Sequence, residues 1–164
     1  MPNTNEHDAD EAELLILLDV NILLYAHDRT SPKHEPVRAW LDDLLASDEW
    51  IGLPWTTIWG FIRIVTNKKG CPRPISGVEA MRVIRTWMDT PRVVAVEPGP
   101  RHLELLARFV ESEGATGNLT PDAVIAALAI EQGATIASTD NDFRRFGVRW
   151  VNPADLAISN RSII

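Results

Sequence analysis

The chain has 164 residues, 45% of them hydrophobic, and a formal net charge of -7. This length suits one domain with one core and is short for two domains, and the single cysteine, Cys71, excludes an internal disulfide. No apolar stretch approaches the ~20 residues that cross a bilayer, and the N-terminus has no signal-peptide pattern, so we expect a cytoplasmic protein without membrane contact.

Strands and helices are predicted to alternate along most of the chain. Residues 1–13 are polar, acidic and aperiodic, which predicts a mobile tail, and residues 14–164 are predicted to form one domain. Short apolar runs indicate buried strands, and apolar residues at helical spacing indicate amphipathic helices. In chain order, the predicted elements are a strand at 14–18, a short helix at 20–25, a helix beginning at 31–32, a strand at 50–53, a helix from Thr56 or Thr57 to about Gly70, a helix at 76–88, a strand at 92–97, helices at 101–113 and 121–132, a strand beginning at 134, a helical turn after Asp140 and a strand at 148–151. This order predicts a three-layer α/β/α fold with a central parallel sheet.

Two prolines predict where helices begin. Ser31 is a suitable N-cap with Pro32 as the first helical residue, and Thr120 has the same relation to Pro121. The second pair would place Asp122 in the first turn of its helix. There the helix dipole stabilises a carboxylate by ~0.3–1 kcal/mol, which is a sufficient local role for this residue.

Three further carboxylates come directly after predicted strands. Asp19 follows the first strand, and Asp140 and Asp142 follow the fourth. Because ligands bind at the carboxyl ends of strands in an open parallel sheet, we expect these acids and Asp122 to converge at one edge. Clustered oxygen ligands without nearby Cys or His are typical of a Mg²⁺ or Mn²⁺ site. Each acid also has a local explanation, as an N-cap, a turn residue or a partner of the helix dipole.

Charge is unevenly distributed along the chain. Residues 1–49 contain twelve acidic and three basic residues, whereas residues 63–92 carry an excess of five positive charges. This basic segment could follow a phosphate backbone, or it could be an ordinary solvated helix face. Its basic residues are Arg63, Lys68, Lys69, Arg73, Arg82, Arg85 and Arg92.

Three blocks of sequence resemble the signature blocks of PIN-domain ribonucleases, in particular bacterial VapC-type toxins. They are LLDVNILLYA at 17–26, GNLTPDA at 117–123 and ASTDNDF at 137–143. The resemblance extends from about Leu14 to Ala154. It implies a metal-dependent endoribonuclease that cuts RNA, is held inactive by a cognate antitoxin and usually forms a homodimer.

By this resemblance, Asp19, Asp122 and Asp140 correspond to the metal-binding acids of the family, with Mg²⁺ or Mn²⁺ as the cofactor. Asp142 would orient the attacking water or hold a second ion. Many family members also carry a Glu in the helix after the second strand, and the position that matches it here is Gly60. No acid lies between residues 49 and 79, so no neighbouring side chain replaces it.

Several other residues have a less specific assignment. Asn21 and the hydroxyl of Ser138 or Thr139 are candidates for orienting the acids, and they are equally good turn residues. Most tryptophans are expected in the core, with one or two exposed near the basic segment and able to stack on unpaired bases. The candidate RNA-binding residues are Arg63, Lys68, Lys69 and Arg73. No histidine is assigned to the site.

Two alternatives compete with the nuclease hypothesis. One is a catalytically weak or inactive PIN-like domain that binds RNA or a protein, which Gly60 makes credible. The other is a phosphorelay receiver, also a parallel α/β domain with clustered acids. The receiver is disfavoured because the chain lacks an acidic pair before the phosphorylated strand and a Lys late in the sheet.

Overall fold

A computed structural model describes residues 14–159, so the predicted tail at 1–13 lies outside the described residues. Five strands form one sheet within this range. The strands are β1 (Leu15–Leu18), β2 (Trp50–Pro54), β3 (Val93–Val96), β4 (Thr135–Ala137) and β5 (Trp150–Val151). The α-helices are α1 (Val20–His27), α2 (His34–Leu45), α3 (Trp55–Val65), α4 (Gly77–Met88), α5 (His102–Glu113), α6 (Thr120–Gln132) and α7 (Pro153–Ser159). Two 3-10 helices cover Gly117–Leu119 and Asn141–Phe146.

The sheet is entirely parallel and has the order β3-β2-β1-β4-β5. The chain first builds outward from β1 to β3, then returns to add β4 on the other side of β1. The connection direction therefore reverses between β1 and β4, and a crevice at the carboxyl ends of such strands is where open α/β sheets bind ligands. This architecture confirms the predicted parallel three-layer fold.

Alternating residues of β1 divide the core into two layers. Ile16 and Leu18 belong to the cluster that packs against α1 to α4, whereas Leu17 belongs to the cluster formed with α5, α6 and the second 3-10 helix. Because successive side chains of a strand point to opposite faces, one apolar run supplies both layers. Within the described residues, no helix combines the length and the hydropathy needed to span a bilayer.

Some predicted helix starts were wrong. The Ser31 hydroxyl accepts the backbone N–H of Lys33 at 3.2 Å in a turn, and α2 begins only at His34. Leu119, not Thr120, is the N-cap of α6, because the preceding 3-10 helix leads directly into it. The Thr120 hydroxyl instead donates to the Ala115 carbonyl at 3.4 Å.

The helix predicted from Thr56 or Thr57 to about Gly70 both starts and ends earlier in the structure than predicted. It covers Trp55–Val65, because β2 continues through Pro54, which also serves as the N-cap. The Thr57 hydroxyl donates to the Leu18 carbonyl at 2.8 Å and so ties α3 to the end of β1. Helix α7 was not predicted.

Gly52 of β2 lies between Leu17 of β1 and Val94 of β3 in register. A Cβ added at Gly52 would lie 2.5 Å from Leu17 Cδ2 and 2.8 Å from Val96 Cγ2. Both distances are too short for real carbon contacts, so these core side chains would have to move.

We therefore expect Gly52→Ala to lower the free energy of unfolding by ~1–3 kcal/mol through overpacking. Gly77→Ala is the matched control, because nothing lies within 4 Å of an added Cβ at this helical position. That control should be neutral or slightly stabilising. Urea unfolding of both variants measures the difference, and equal stabilities would contradict the packing argument.

Candidate active site

The four acids selected from the sequence lie at the carboxyl edge of the sheet, where the connection direction reverses. Asp19 follows β1 and caps α1, Asp122 lies in the first turn of α6, and Asp140 caps the second 3-10 helix. One carboxylate oxygen from each of Asp122, Asp140 and Asp142 lies within 4.8 Å of the other two. Asp19 adjoins this group closely enough for its charge to act on Asp122.

Asp19 is the buried member of the cluster, with 4% of its surface exposed. Its Oδ1 accepts the backbone N–H of Val20 at 2.6 Å. Its Oδ2 accepts hydrogen bonds from Asn21 Nδ2 at 2.7 Å and from the Ser138 hydroxyl at 2.7 Å. Oδ1 therefore keeps a free lone pair that could bind a cation.

Asn21 and Ser138 join the ends of β1 and β4. Asn21 Nδ2 also donates to Ser138 Oγ at 2.9 Å, and its Oδ1 accepts the backbone N–H of Thr139 at 3.1 Å. Ser138 Oγ accepts the backbone N–H of Asp140 at 3.0 Å. These bonds fix the separation of Asp19 and Asp140, so both side chains orient the acids as well as the turn. The contact of Thr139 is made by its backbone.

Asp140 and Asp142 are held by the 3-10 helix that follows β4. Asp140 Oδ1 accepts the backbone N–H of Asp142 at 2.9 Å. Asp142 in turn forms an ion pair with Arg145, at 3.3 Å between Oδ1 and Nη2. The sequence interpretation missed Arg145, although its spacing of three residues from Asp142 on a helix could have indicated the pair.

Burial and mutual repulsion control the protonation of the site. Burial raises the pKa of Asp19, while its hydrogen bonds from Ser138 and Val20 act in the opposite direction. Burial also raises the pKa of Asp122 to about 7, and the charges of the other three acids add to this shift. Without a cation the cluster therefore retains a proton on Asp122 near neutral pH.

The donor set fits a hard divalent cation. All the available ligand atoms are carboxylate oxygens, which suit Mg²⁺ or Mn²⁺, and a cation would relieve the repulsion that raises the pKa of Asp122. The three acids with oxygens within 4.8 Å of one another are Asp122, Asp140 and Asp142, whereas the sequence interpretation grouped Asp19, the buried acid beside them, with Asp122 and Asp140. The geometry thus gives Asp142 as good a position for a ligand as Asp19.

Gly60 lies beside the site on α3. An added Cβ would be 3.2 Å from Cγ2 of Val20, the residue that follows Asp19. A side chain at this position would begin next to the acidic cluster, which agrees with its alignment to the family Glu. The space for a side chain at position 60 is tight, but it is not blocked.

The candidate RNA-binding residues lie away from the acids. Helix α3 begins at the site edge of the sheet and runs ~16 Å to its other end, near Arg63, and Lys68 and Lys69 follow in the next turn. Arg73 Nη2 is engaged by Asp28 Oδ1 at 2.7 Å and by the Thr30 hydroxyl at 2.6 Å. Their assignment to RNA binding stays a prediction.

Two exposed tryptophans occupy the first half of α3, near the site and not at the basic segment. Trp55 and Trp59 are 38% and 62% exposed, with ring centroids 6.0 Å apart.

Among the histidines, His102 is buried and its Nδ1 lies 3.1 Å from Glu131 Oε2, in a contact that joins the start of α5 to the end of α6. His102 therefore has a packing role.

The raised pKa of Asp122 makes stability depend on pH in the absence of metal. Between pH 3.8 and about 7 the folded protein keeps a proton that the unfolded chain has lost, so the free energy of unfolding should fall as pH rises through this window. Asp122→Asn should make this fall shallower by removing the contribution of Asp122, and Asp43→Asn, at an exposed position on α2, should leave it unchanged. Urea unfolding in EDTA from pH 4 to 8 measures the slopes; identical slopes in all three proteins would contradict the assignment.

The position of Gly60 generates a second prediction. Gly60→Glu should raise Mn²⁺ affinity by about tenfold relative to Gly60→Gln. The Glu and Gln side chains have nearly the same shape, and only Glu adds a charged ligand. The helix gain of ~1 kcal/mol from replacing glycine should be offset in both by the contact with Val20. Calorimetric titration with Mn²⁺ measures this, and equal affinities would mean that the side chain does not reach the ion.

Comparisons with known proteins agree with this geometry. The PIN domain profile matches residues 16–148. Ribonuclease VapC37 of Mycobacterium tuberculosis is 40% identical over 141 residues, which make up 85% of this chain and 98% of that protein. The VapBC2 complex from Rickettsia felis, solved with promoter DNA, matches with a TM-score of 0.63 at 18% identity, covering 85% of this chain and 98% of that one.

A further solved structure matches this fold. The crystal structure of VapC20 from Mycobacterium tuberculosis, a toxin that cleaves the sarcin-ricin loop, matches with a TM-score of 0.61 at 13% identity and covers 84% of this chain and 99% of that one. At such identities the two structural matches show the fold alone. The profile match and the identity to VapC37 carry the assignment: the chain belongs to the PIN-domain family and, within it, to the VapC ribonucleases.

Proposed function

We propose that this protein is a metal-dependent endoribonuclease and the toxin of a toxin–antitoxin pair. The observation that carries the proposal is the convergence of Asp19, Asp122, Asp140 and Asp142 at one sheet edge. A cluster in which burial and the neighbouring negative charges keep a proton on Asp122 is suited to binding a cation. The kinship with ribonucleases supports RNA as the substrate class.

Mg²⁺ or Mn²⁺ would be held by Asp19, Asp122 and Asp140, with Asp142 as a further ligand or as the group that orients water. When bound, such an ion activates water and neutralises charge on a phosphodiester. The protein supplies the rest: Asn21 and Ser138 hold the Asp19 carboxylate in one orientation. Their hydrogen bonds also spare Asp19 from being a buried charge without partners.

The partners follow from the relatives. The matched VapBC2 structure is a toxin–antitoxin complex, which supports a cognate antitoxin as the protein partner here. A homodimer is the expected assembly.

RNA contacts are assigned to Arg63, Lys68, Lys69 and Arg73, of which Arg73 would have to leave Asp28. The alternative of an inactive binding domain rests on Gly60 alone, where many family members have a Glu. The convergence of the four acids that are present argues against it.

The test uses Asp122, because within the described residues its side chain forms no hydrogen bond whose loss would disturb the fold. Asp122→Asn should lower RNA cleavage in Mn²⁺ by at least ~10²-fold and weaken Mn²⁺ binding. Asp43→Asn is the matched control and should retain both. New ends mapped in total bacterial RNA give the readout, and a wild type that binds RNA without cutting it in Mg²⁺ or Mn²⁺ would favour the binding-domain alternative.

A further inference from the structure

One positively charged side chain, that of Arg145, lies beside the acids of the candidate active site. Arg145 lies on the 3-10 helix Asn141–Phe146, and its Nη2 is 3.3 Å from Asp142 Oδ1. Its positive charge also acts on Asp122, where it opposes the effect of the acids. The guanidinium therefore occupies the same edge of the sheet as the carboxylates.

The ion pair leaves Arg145 available for another anion. Both side chains are about half exposed, at 44% for Arg145 and 49% for Asp142, and exposed pairs contribute little to stability. A guanidinium has five N–H donors, and the hydrogen bond to Asp142 uses one. A phosphate accepts two parallel N–H bonds from this planar group, which the single contact with Asp142 does not provide.

Two other arginines, Arg144 and Arg73, differ from Arg145 in their surroundings. Arg144, the preceding residue, has its Cζ 5.3 Å from the ring centroid of Trp150 and lies over that ring. Arg73, from the basic segment, is bound to Asp28 and Thr30. Within residues 14–159, Arg145 is the cation paired with a member of the acidic cluster.

We propose that Arg145 is the residue that binds the phosphate of the RNA at the site of cleavage, exchanging its contact with Asp142 for the phosphate oxygens. The inference rests on the proposed ribonuclease function and names a contact with the substrate that the metal-binding acids cannot make. Because the acids repel a phosphodiester, a cation at their rim lowers the cost of bringing the scissile group to them.

Binding without metal tests the contact separately from cleavage. A labelled short single-stranded RNA of mixed sequence is titrated in EDTA at several salt concentrations. Arg145→Ala should lower affinity about tenfold and reduce the log–log salt slope by about 0.7, the value for one phosphate contact. Arg144→Ala, the matched control, should keep the wild-type slope, and Asp142→Asn should tighten binding by releasing Arg145 and removing a negative charge.

Cleavage supplies the second readout. In Mn²⁺, Arg145→Ala should lower the rate of appearance of new ends in total bacterial RNA by about 10²-fold, while Mn²⁺ affinity stays within about threefold. Arg145→Lys should restore the salt slope but only part of the rate, because a lysine keeps the charge and lacks the planar fork. Thermal unfolding of each variant confirms that the fold is intact.

The outcomes separate the two proposals. If the wild type cuts RNA and Arg145→Ala matches Arg144→Ala in slope and rate, this inference is overturned and the ribonuclease assignment stands. If the wild type cuts no RNA in either metal, the ribonuclease assignment fails, and the slopes in EDTA still decide whether Arg145 contacts phosphate. Equal slopes for the two alanine variants, or RNA binding by the wild type that ignores salt, overturn the inference in every case.

Discussion

The hydrogen-bonded junction between the ends of β1 and β4 is the constraint on which the site depends. Asp19 is buried there, and a buried carboxylate is costly unless donors surround it. Val20, Asn21 and Ser138 provide those donors, and two of them also fix the turn after β4. Because the same bonds satisfy the charge and close the sheet edge, the geometry of the candidate site is part of the fold and does not depend on a mobile loop.

This junction leaves the cluster short of positive charge. Burial and repulsion are tolerated in the metal-free state because Asp122 takes up a proton, which removes one charge from the group. A cation that replaces this proton would bind with proton release, so its affinity should be weaker in acid. In the proposed metal site, the stability given up above neutral pH would accompany affinity for the ion, a compromise typical of functional clusters.

The sequence predicted the sheet and the four acids because both depend on local signals. Apolar runs identified β1 and β4, and parallel topology then brought the acids after them together. It failed where a tertiary contact overrides a local preference: Thr57 resembles a helix start, yet its hydroxyl bonds to Leu18 inside the fold. The ion pair of Arg145 was not predicted, because the density of charge in residues 63–92 is the stronger sequence signal and a single cation three residues from Asp142 adds little to it.

The overall charge makes such single cations decisive. At a net charge of -7 the protein repels RNA at long range, but salt screens this repulsion beyond about 8 Å under physiological conditions. Attraction must then come from cations within that distance of the bound strand. A basic residue at the far end of α3, ~16 Å along the helix from the acids, can hold a flanking part of the strand but cannot offset the carboxylates at the scissile phosphate. Among the described side chains, Arg145 lies at the cluster itself, so it is placed to do that together with the proposed metal ion.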